Sequence, residues 1–382
     1  MRHLTRSLAG AALATALAAV PAVAAHGRNH DRPRGAHRNA AAVFVQTDAT
    51  SGNAVRAYRR AGDGTLAYAG TYATGGNGAV AAGATADPLA SQGSLTTAAG
   101  GRLLLAVNAG SNTISVFRVA GTSLSLRQTL PSGGIFPASI AVHDNLVYVL
   151  NSGADGTVSG FRIDDGRLRP IAGSTRSLGL GNTPVPNFLK SPGQVGFAAD
   201  GHRLVVTTKA STSSLDVFGV NRGGLLGAAP VATASATPVP FAFASGPDGE
   251  LVVAEAATST ISAYTLAGGG SAHLIGSQAD GQAAACWITS ARGVFFVSNA
   301  GSANISAYRL NALGAPQLVG IAGTAGAGTT DSAAADHGHF LYVESGGAGT
   351  VDAFAVSGGG ALTKVGTVSG LPTGIEGIAT VG

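Results

Sequence analysis

From Ala40 onward one four-residue unit recurs seven times: an apolar residue, a polar one, a small one, then an aromatic. The copies are Val55 to Tyr58, Ile114 to Phe117, Val158 to Phe161, Leu215 to Phe218, Ile261 to Tyr264, Ile305 to Tyr308 and Val351 to Phe354. Their aromatics follow one another at intervals of 59, 44, 57, 46, 44 and 46 residues. A period of about 45 residues built from short strands predicts a β-propeller with four antiparallel strands per blade. Composition agrees, because 58 glycines and only 11% charged residues suit tight turns and short strands. They do not suit long helices, where each glycine costs about 1 kcal/mol.

Within a unit, alternation and turn residues place the strands. In the fifth copy Phe241 to Ala244 reads as strand one, Gly246 to Gly249 as a turn, and Leu251 to Ala254 as strand two. Thr260 to Thr265 reads as strand three, and the stretch near Leu274 to Gly276 as strand four. The first copy opens directly on a second strand, Val43 to Val45, while the chain ends on Gly374 to Ala379, which has the character of an innermost strand with nothing after it. The deficit and the surplus match. The expectation is one all-β domain over residues 40–382, a seven-bladed ring closed by the C-terminal strand completing the first blade.

Residues 1–25 read as a secretory signal peptide: Arg2 and Arg6, an alanine-rich apolar stretch from Leu8 to Val20, and Ala22-Val23-Ala24 as the cleavage site. The apolar run is too short for a transmembrane anchor. Residues 26–39 read as a disordered basic leader. Of the formal charge of +4, Arg2 and Arg6 carry +2 and the leader +3, so the remainder is close to neutral at −1. Such a body lacks the basic footprint that nucleic acid requires. A secreted, monomeric protein is expected, with the lone Cys286 outside any intramolecular disulfide.

In an up-and-down blade the start of strand one, the end of strand two and the connection to the next blade share one face. The two long intervals arise from extra residues at about Thr74 to Ser91 and Ser174 to Lys190, both between blades, which marks that face as functional. The ends of strand two there carry Asn108, Asn151, Lys209, Glu255, Asn299 and Glu344, a polar series at one recurring position. Strand-one positions near the channel add Gln194, Trp287 and Glu376. The asparagines also fit a plain role in capping strand ends. The histidines do not gather at channel positions, and no metal or cofactor is expected.

The runs Leu105 to Phe117, reading Leu-Ala-Val-Asn-Ala-Gly-Ser-Asn-Thr-Ile-Ser-Val-Phe, and Phe296 to Tyr308 resemble the repeats of the lactonase-family β-propellers. That family includes 6-phosphogluconolactonases and proteins named as carboxymuconate cyclases. In it, strand one of some blades begins Pro-His, strand two ends Asn-Glu, and an Arg lies near the channel. Here the first pair reads Pro137-Ala138, Pro192-Gly193 and Pro240-Phe241, while an acid stands at Glu255 and Glu344. The resemblance implies hydrolysis of a sugar or other small lactone, with Glu255 or Glu344 as general base and Lys209 or Arg176 steadying the oxyanion. Asn108, Asn151, Gln194, Trp287, Asn299 and Glu376 would then contact the ligand. A non-catalytic extracellular propeller, binding a carbohydrate or acting at a cell surface, is the alternative.

Overall fold

The computed structural model describes residues 41–382; the expected signal peptide and basic leader lie outside the described residues. Every regular element among the described residues is a β-strand, and the strands form seven antiparallel sheets. Blade two holds Leu95–Ala98, Leu103–Asn108, Thr113–Ala120 and Ser123–Pro131. Blade three holds Pro137–His143, Leu146–Asn151, Thr157–Asp164 and a divided outer strand, Arg167–Pro170 with Arg176–Ser177. Blade four holds Gln194–Phe197, Arg203–Thr207, Ser214–Gly219 and Val231–Ala234. Blade five holds Pro240–Ser245, Leu251–Glu255, Thr260–Leu266 and Ala272–Ala279, as the alternation predicts. Blade six is Ala285–Ala291, Val294–Asn299, Asn304–Leu310 and Pro316–Thr324. Blade seven is Thr329–Ala335, Phe340–Ser345, Thr350–Val356 and Leu362–Val368.

Blade one closes the ring. Its inner strand, Ile378–Val381, comes from the C-terminus and pairs antiparallel with Ala42–Gln46, with Ala42 opposite Val381 and Val45 opposite Ile378. Ala54–Arg60 and Leu66–Ala73 complete the sheet. The closing strand thus begins four residues later than the sequence suggests. Gly374 to Gly377 is instead a loop that delivers Glu376 to the end of the channel, because the apolar alternation that fits the blade interface starts only at Ile378.

The seven marker aromatics are all buried, and they pack between neighbouring blades. Phe117, for example, lies in one cluster with Phe44, Leu104 and Ala379, so blades one and two share that core. This is why an aromatic recurs at this position: sheets stacked face to face need a large side chain to fill the wedge that opens toward the rim.

Candidate functional site at the channel mouth

Strand pairing separates residues that look equivalent in sequence. Asn108, Asn151, Glu255 and Asn299 lie opposite Thr113, Thr157, Thr260 and Asn304, the residue just before the repeat's apolar position. Glu344 lies opposite Val351, the apolar position itself, so it sits one residue earlier; its neighbour Ser345 holds the asparagine position. Lys209 sits one residue later, because Thr208 is the residue that bonds Ser214 across the strands. A shift of one residue turns a side chain to the other face of the sheet. The expected single series is therefore three, and only its two shifted members, Glu344 and Lys209, join the titratable cluster in the channel.

The members in register serve the scaffold. Glu255 is fully buried and accepts from four hydroxyls: Ser235, Thr237 (2.7 Å), Ser262 (2.6 Å) and Tyr264 (2.8 Å). These donors fill the carboxylate's acceptor sites and tie the blade to the connection before it, so Glu255 is not free to activate water. Asn108 donates to Thr113 and Ser115 and accepts from Asn53 of blade one. Asn151 donates to Ser132 and Thr157, and Asn299 to Asn304 and Ser306. Gln194 uses its side-chain oxygen to accept from the Phe243 amide, joining two inner strands at 2.7 Å. Arg176 is part of blade three's outer strand, and its guanidinium is spent on the carbonyls of Gly173, Thr175, Leu226 and Gly227. These side chains are all engaged in holding the scaffold.

The channel mouth is built instead by the two long connections. They meet in a short parallel bridge, in which the Ala82 amide donates to Pro186 O and the Phe188 amide to Ala82 O, each at 2.9 Å. The first connection then crosses the mouth. Ser91 Oγ donates to Ala138 O of blade three at 2.7 Å, and Trp287 Nε1 of blade six donates to Ser91 O at 2.8 Å. Gln92 exchanges both hydrogen bonds with the main chain of Ile288, acting as a short substitute strand. Blade seven leaves room at Gly346, where a Cβ would lie 2.1 Å from Ala86 O.

Asp87, which no repeat pattern marks, is the acid this crossing segment brings in. Its carboxylate accepts from the amides of Leu89, Ala90 and Ser91, all at 2.8 Å. Nearby, Lys209 Nζ donates to Ala90 O (2.5 Å) and Phe188 O (2.7 Å), and stands 4.9 and 4.8 Å from the ring centres of Phe188 and Phe241. Trp287 packs on Phe241 with ring centres 4.8 Å apart. Burial pushes Lys209 down to about 7, with Asp87 and Cys286 opposing. Burial raises Asp87 to about 6, held back by Lys209 and the three amides. The Cys286 thiol is raised to about 12 by burial and stays protonated. A pocket of about 250 Å³ opens beside this group, lined by Thr85, Ala86, Asp87, Phe188, Cys286 and Trp287, among others.

On the blade seven and blade one side stand four more buried carboxyls. Asp48 accepts from Gln46 Nε2 and the Glu376 amide; Asp331 accepts from the amides of Ser332 and Gly93. Glu344 accepts from the Gly377 amide, but its Oε1 has no partner, and neither carboxyl oxygen of Glu376 has one. Burial raises Asp331 to about 7. Glu344 rises well above its ordinary range through burial and then through Asp331 and Asp48. Glu376 rises likewise, through burial and then Asp87, Asp331 and Asp48, with Ser94 opposing. Burial thus favours the protonated form of Glu344, which works against the general-base role expected of it. Among the described residues no three His, Cys, Asp or Glu side chains are arranged to hold a metal ion.

Sequence reasoning missed Asp87, Asp48, Asp331, Phe188 and Phe241. The last residue, like Cys286 and Asp331, falls where the inner strand slips register at its start, between Pro240 and Ala242, Ala285 and Trp287, and Thr329 and Ser332. Such bulges re-aim side chains. The one available signal was the Pro-Phe and Ala-Cys-Trp spacing at these strand starts, which departs from strict alternation.

The family described as lactonase, 7-bladed beta-propeller matches residues 31–178, which reach through blade three. A protein from Lactobacillus plantarum is similar in structure at 19% identity and a TM-score of 0.71, covering 90% of this chain and 99% of that one. A putative 6-phosphogluconolactonase from Bacteroides fragilis gives 18% and 0.70, covering 90% and 98%. The periplasmic gluconolactonase of Pseudomonas aeruginosa gives 18% and 0.69, covering 90% and 99%. No curated protein matches the chain. At these identities the structural likeness is one of fold. The chain is a seven-bladed β-propeller that resembles the lactonase family, in sequence through its first three blades and in architecture around the whole ring.

Proposed function

We propose that the protein hydrolyses a small lactone in the pocket beside Asp87. The observation that carries this reading is a carboxylate held by three main-chain amides, in a segment whose Ala90 carbonyl accepts from Lys209, at the wall of an aromatic-sided pocket on the face where both long connections meet. Asp87 takes a proton from water as the water oxygen adds to the lactone carbonyl. The Thr85 hydroxyl is the pocket donor available to the oxyanion. Collapse breaks the ring C–O bond, and the departing oxygen recovers the proton from Asp87, leaving a hydroxy acid. Lys209 acts through Asp87 as a positioning residue, since its charge keeps the carboxyl ionised near neutrality. Residues 1–25 support export of this activity, and the likeness to lactonase propellers supports the reaction class.

Asp87→Asn keeps the acceptor for Leu89 and Ala90 but removes the base. It should lower kcat/KM by about a hundredfold or more while the protein stays folded, the Ser91 amide losing its acceptor at a cost of about 1 to 3 kcal/mol in stability. In the wild type kcat/KM should climb with pH through about 6, where Asp87 ionises. Full activity in Asp87→Asn sinks this assignment. No turnover of any lactone by the wild type, with ligand still bound, would favour the non-catalytic binding propeller.

A further inference from the structure

Resting on the lactone-hydrolase reading, we propose that the pocket takes small, uncharged, sparsely hydroxylated lactones and rejects those bearing a phosphate or carboxylate. Size and lining come first. A volume of about 250 Å³ lies below the range of a drug-sized site, and Ala86, Phe188, Ala284, Trp287 and Ala300 make most of the wall apolar. Thr85, Asp87 and Cys286 are its polar side chains. A ring carrying several hydroxyls would leave most of them without partners, each at the cost of a desolvated polar group.

Charge points the same way. Lys209 is the one fully buried lysine or arginine among the described residues, against the buried carboxyls Asp48, Asp87, Asp331, Glu344 and Glu376 around the mouth. Two of its three N–H bonds are committed to carbonyls, and its charge already interacts with that of Asp87. The three consecutive amides that would otherwise cradle an anion, those of Leu89, Ala90 and Ser91, are filled by the Asp87 carboxylate itself. No arginine fork replaces them in the pocket lining. An anionic ligand would meet the two costs that the channel's own acids meet, loss of hydration and repulsion by like charge.

Trp287 lines the pocket and is the only tryptophan of the chain, so its emission reports binding without any need for turnover. Titration of the full-length mature protein with δ-valerolactone should shift the emission, and this lactone should be hydrolysed. Glucono-δ-lactone 6-phosphate should leave the emission unmoved and show kcat/KM lower by about a hundredfold or more, with unphosphorylated glucono-δ-lactone between them. Phosphorylated lactone that binds or reacts as well as δ-valerolactone overturns the charge argument and leaves the hydrolase reading standing. An emission shift with δ-valerolactone alone but no hydrolysis overturns the hydrolase reading and keeps the ligand preference. No shift with either lactone overturns the inference.

Discussion

Glu255 and Glu344 end similar stretches, Leu-Val-Val-Ala-Glu and Phe-Leu-Tyr-Val-Glu, yet they do opposite things. In blade five Glu255 accepts from four hydroxyls and closes its own network. At the seam of blades seven and one Glu344 has one main-chain donor and a bare oxygen, in the company of Asp48, Asp331 and Glu376. A single residue of register separates them. Where the acid meets the hydroxyl-bearing third strand it becomes a structural tie. Where it turns toward the axis it meets the field of other acids, and burial raises its pKa. Polar character at a repeat position therefore says little until the pairing is known.

The largest effect should come from removing the seam. Deletion of Thr373 to Gly382 takes away the inner strand of blade one and the amide that bonds Glu344. Ile375, Ile378 and Val381 are buried, and at about 1.5 to 3 kcal/mol each their loss rivals the whole stability of a typical domain. Denaturant titration should show no cooperative transition; an unchanged midpoint would break the closure argument.

The isosteric pair Glu255→Gln and Glu344→Gln isolates the comparison itself. The first replaces an acceptor by a donor in a filled network and should cost about 1 to 3 kcal/mol in urea unfolding. The second leaves the bare oxygen's site no worse off and should change stability by less than about 1 kcal/mol, or raise it. Equal losses in both variants would erase the distinction drawn between the two regions.

A gradual effect with pH has an unusual sign. Asp87, Asp331, Glu344, Glu376 and Asp48 titrate higher folded than unfolded, so between about pH 4 and 7 the folded chain holds more protons and its stability falls as pH rises. Lys209, lowered to about 7, adds a trend of the other sign only above that value. The urea midpoint should be higher at about pH 5.5 than at about pH 7.5, and Asp331→Asn should flatten the slope. A midpoint that rises steadily from acid to neutral would place the seam acids in the same ionised condition as ordinary surface carboxylates.

The blades were readable because repetition reports short-range geometry. Alternation places Leu251–Glu255 and Thr260–Leu266, and the Gly246 to Gly249 turn joins strands one and two with little help from the rest of the chain. The face bearing both long connections was readable for the same reason, and Lys209 and Trp287 lie on it. Asp87 was not, because it lies in an irregular segment without a period, and its role depends on Lys209, a partner more than a hundred residues away. Arg176 was misplaced because the outer strand of blade three breaks at Ile171 to Thr175 and resumes, so a residue that looked like part of the insertion belongs to the sheet.

By itself the sequence determined the number of blades, their four-strand plan and the joining of the two ends of the chain, since each follows from local periodicity and from a strand missing at one end and spare at the other. Only the tertiary structure decided which polar residues meet. That choice rests on single-residue shifts in register at Glu344 and Lys209 and on inner-strand bulges at Phe241, Cys286 and Asp331. It rests equally on the segment from Ala81 to Gln92 crossing the channel mouth. All three are set by contacts between distant parts of the ring, where a displacement of one residue reverses the direction of a side chain while the pattern of apolar and polar letters hardly changes.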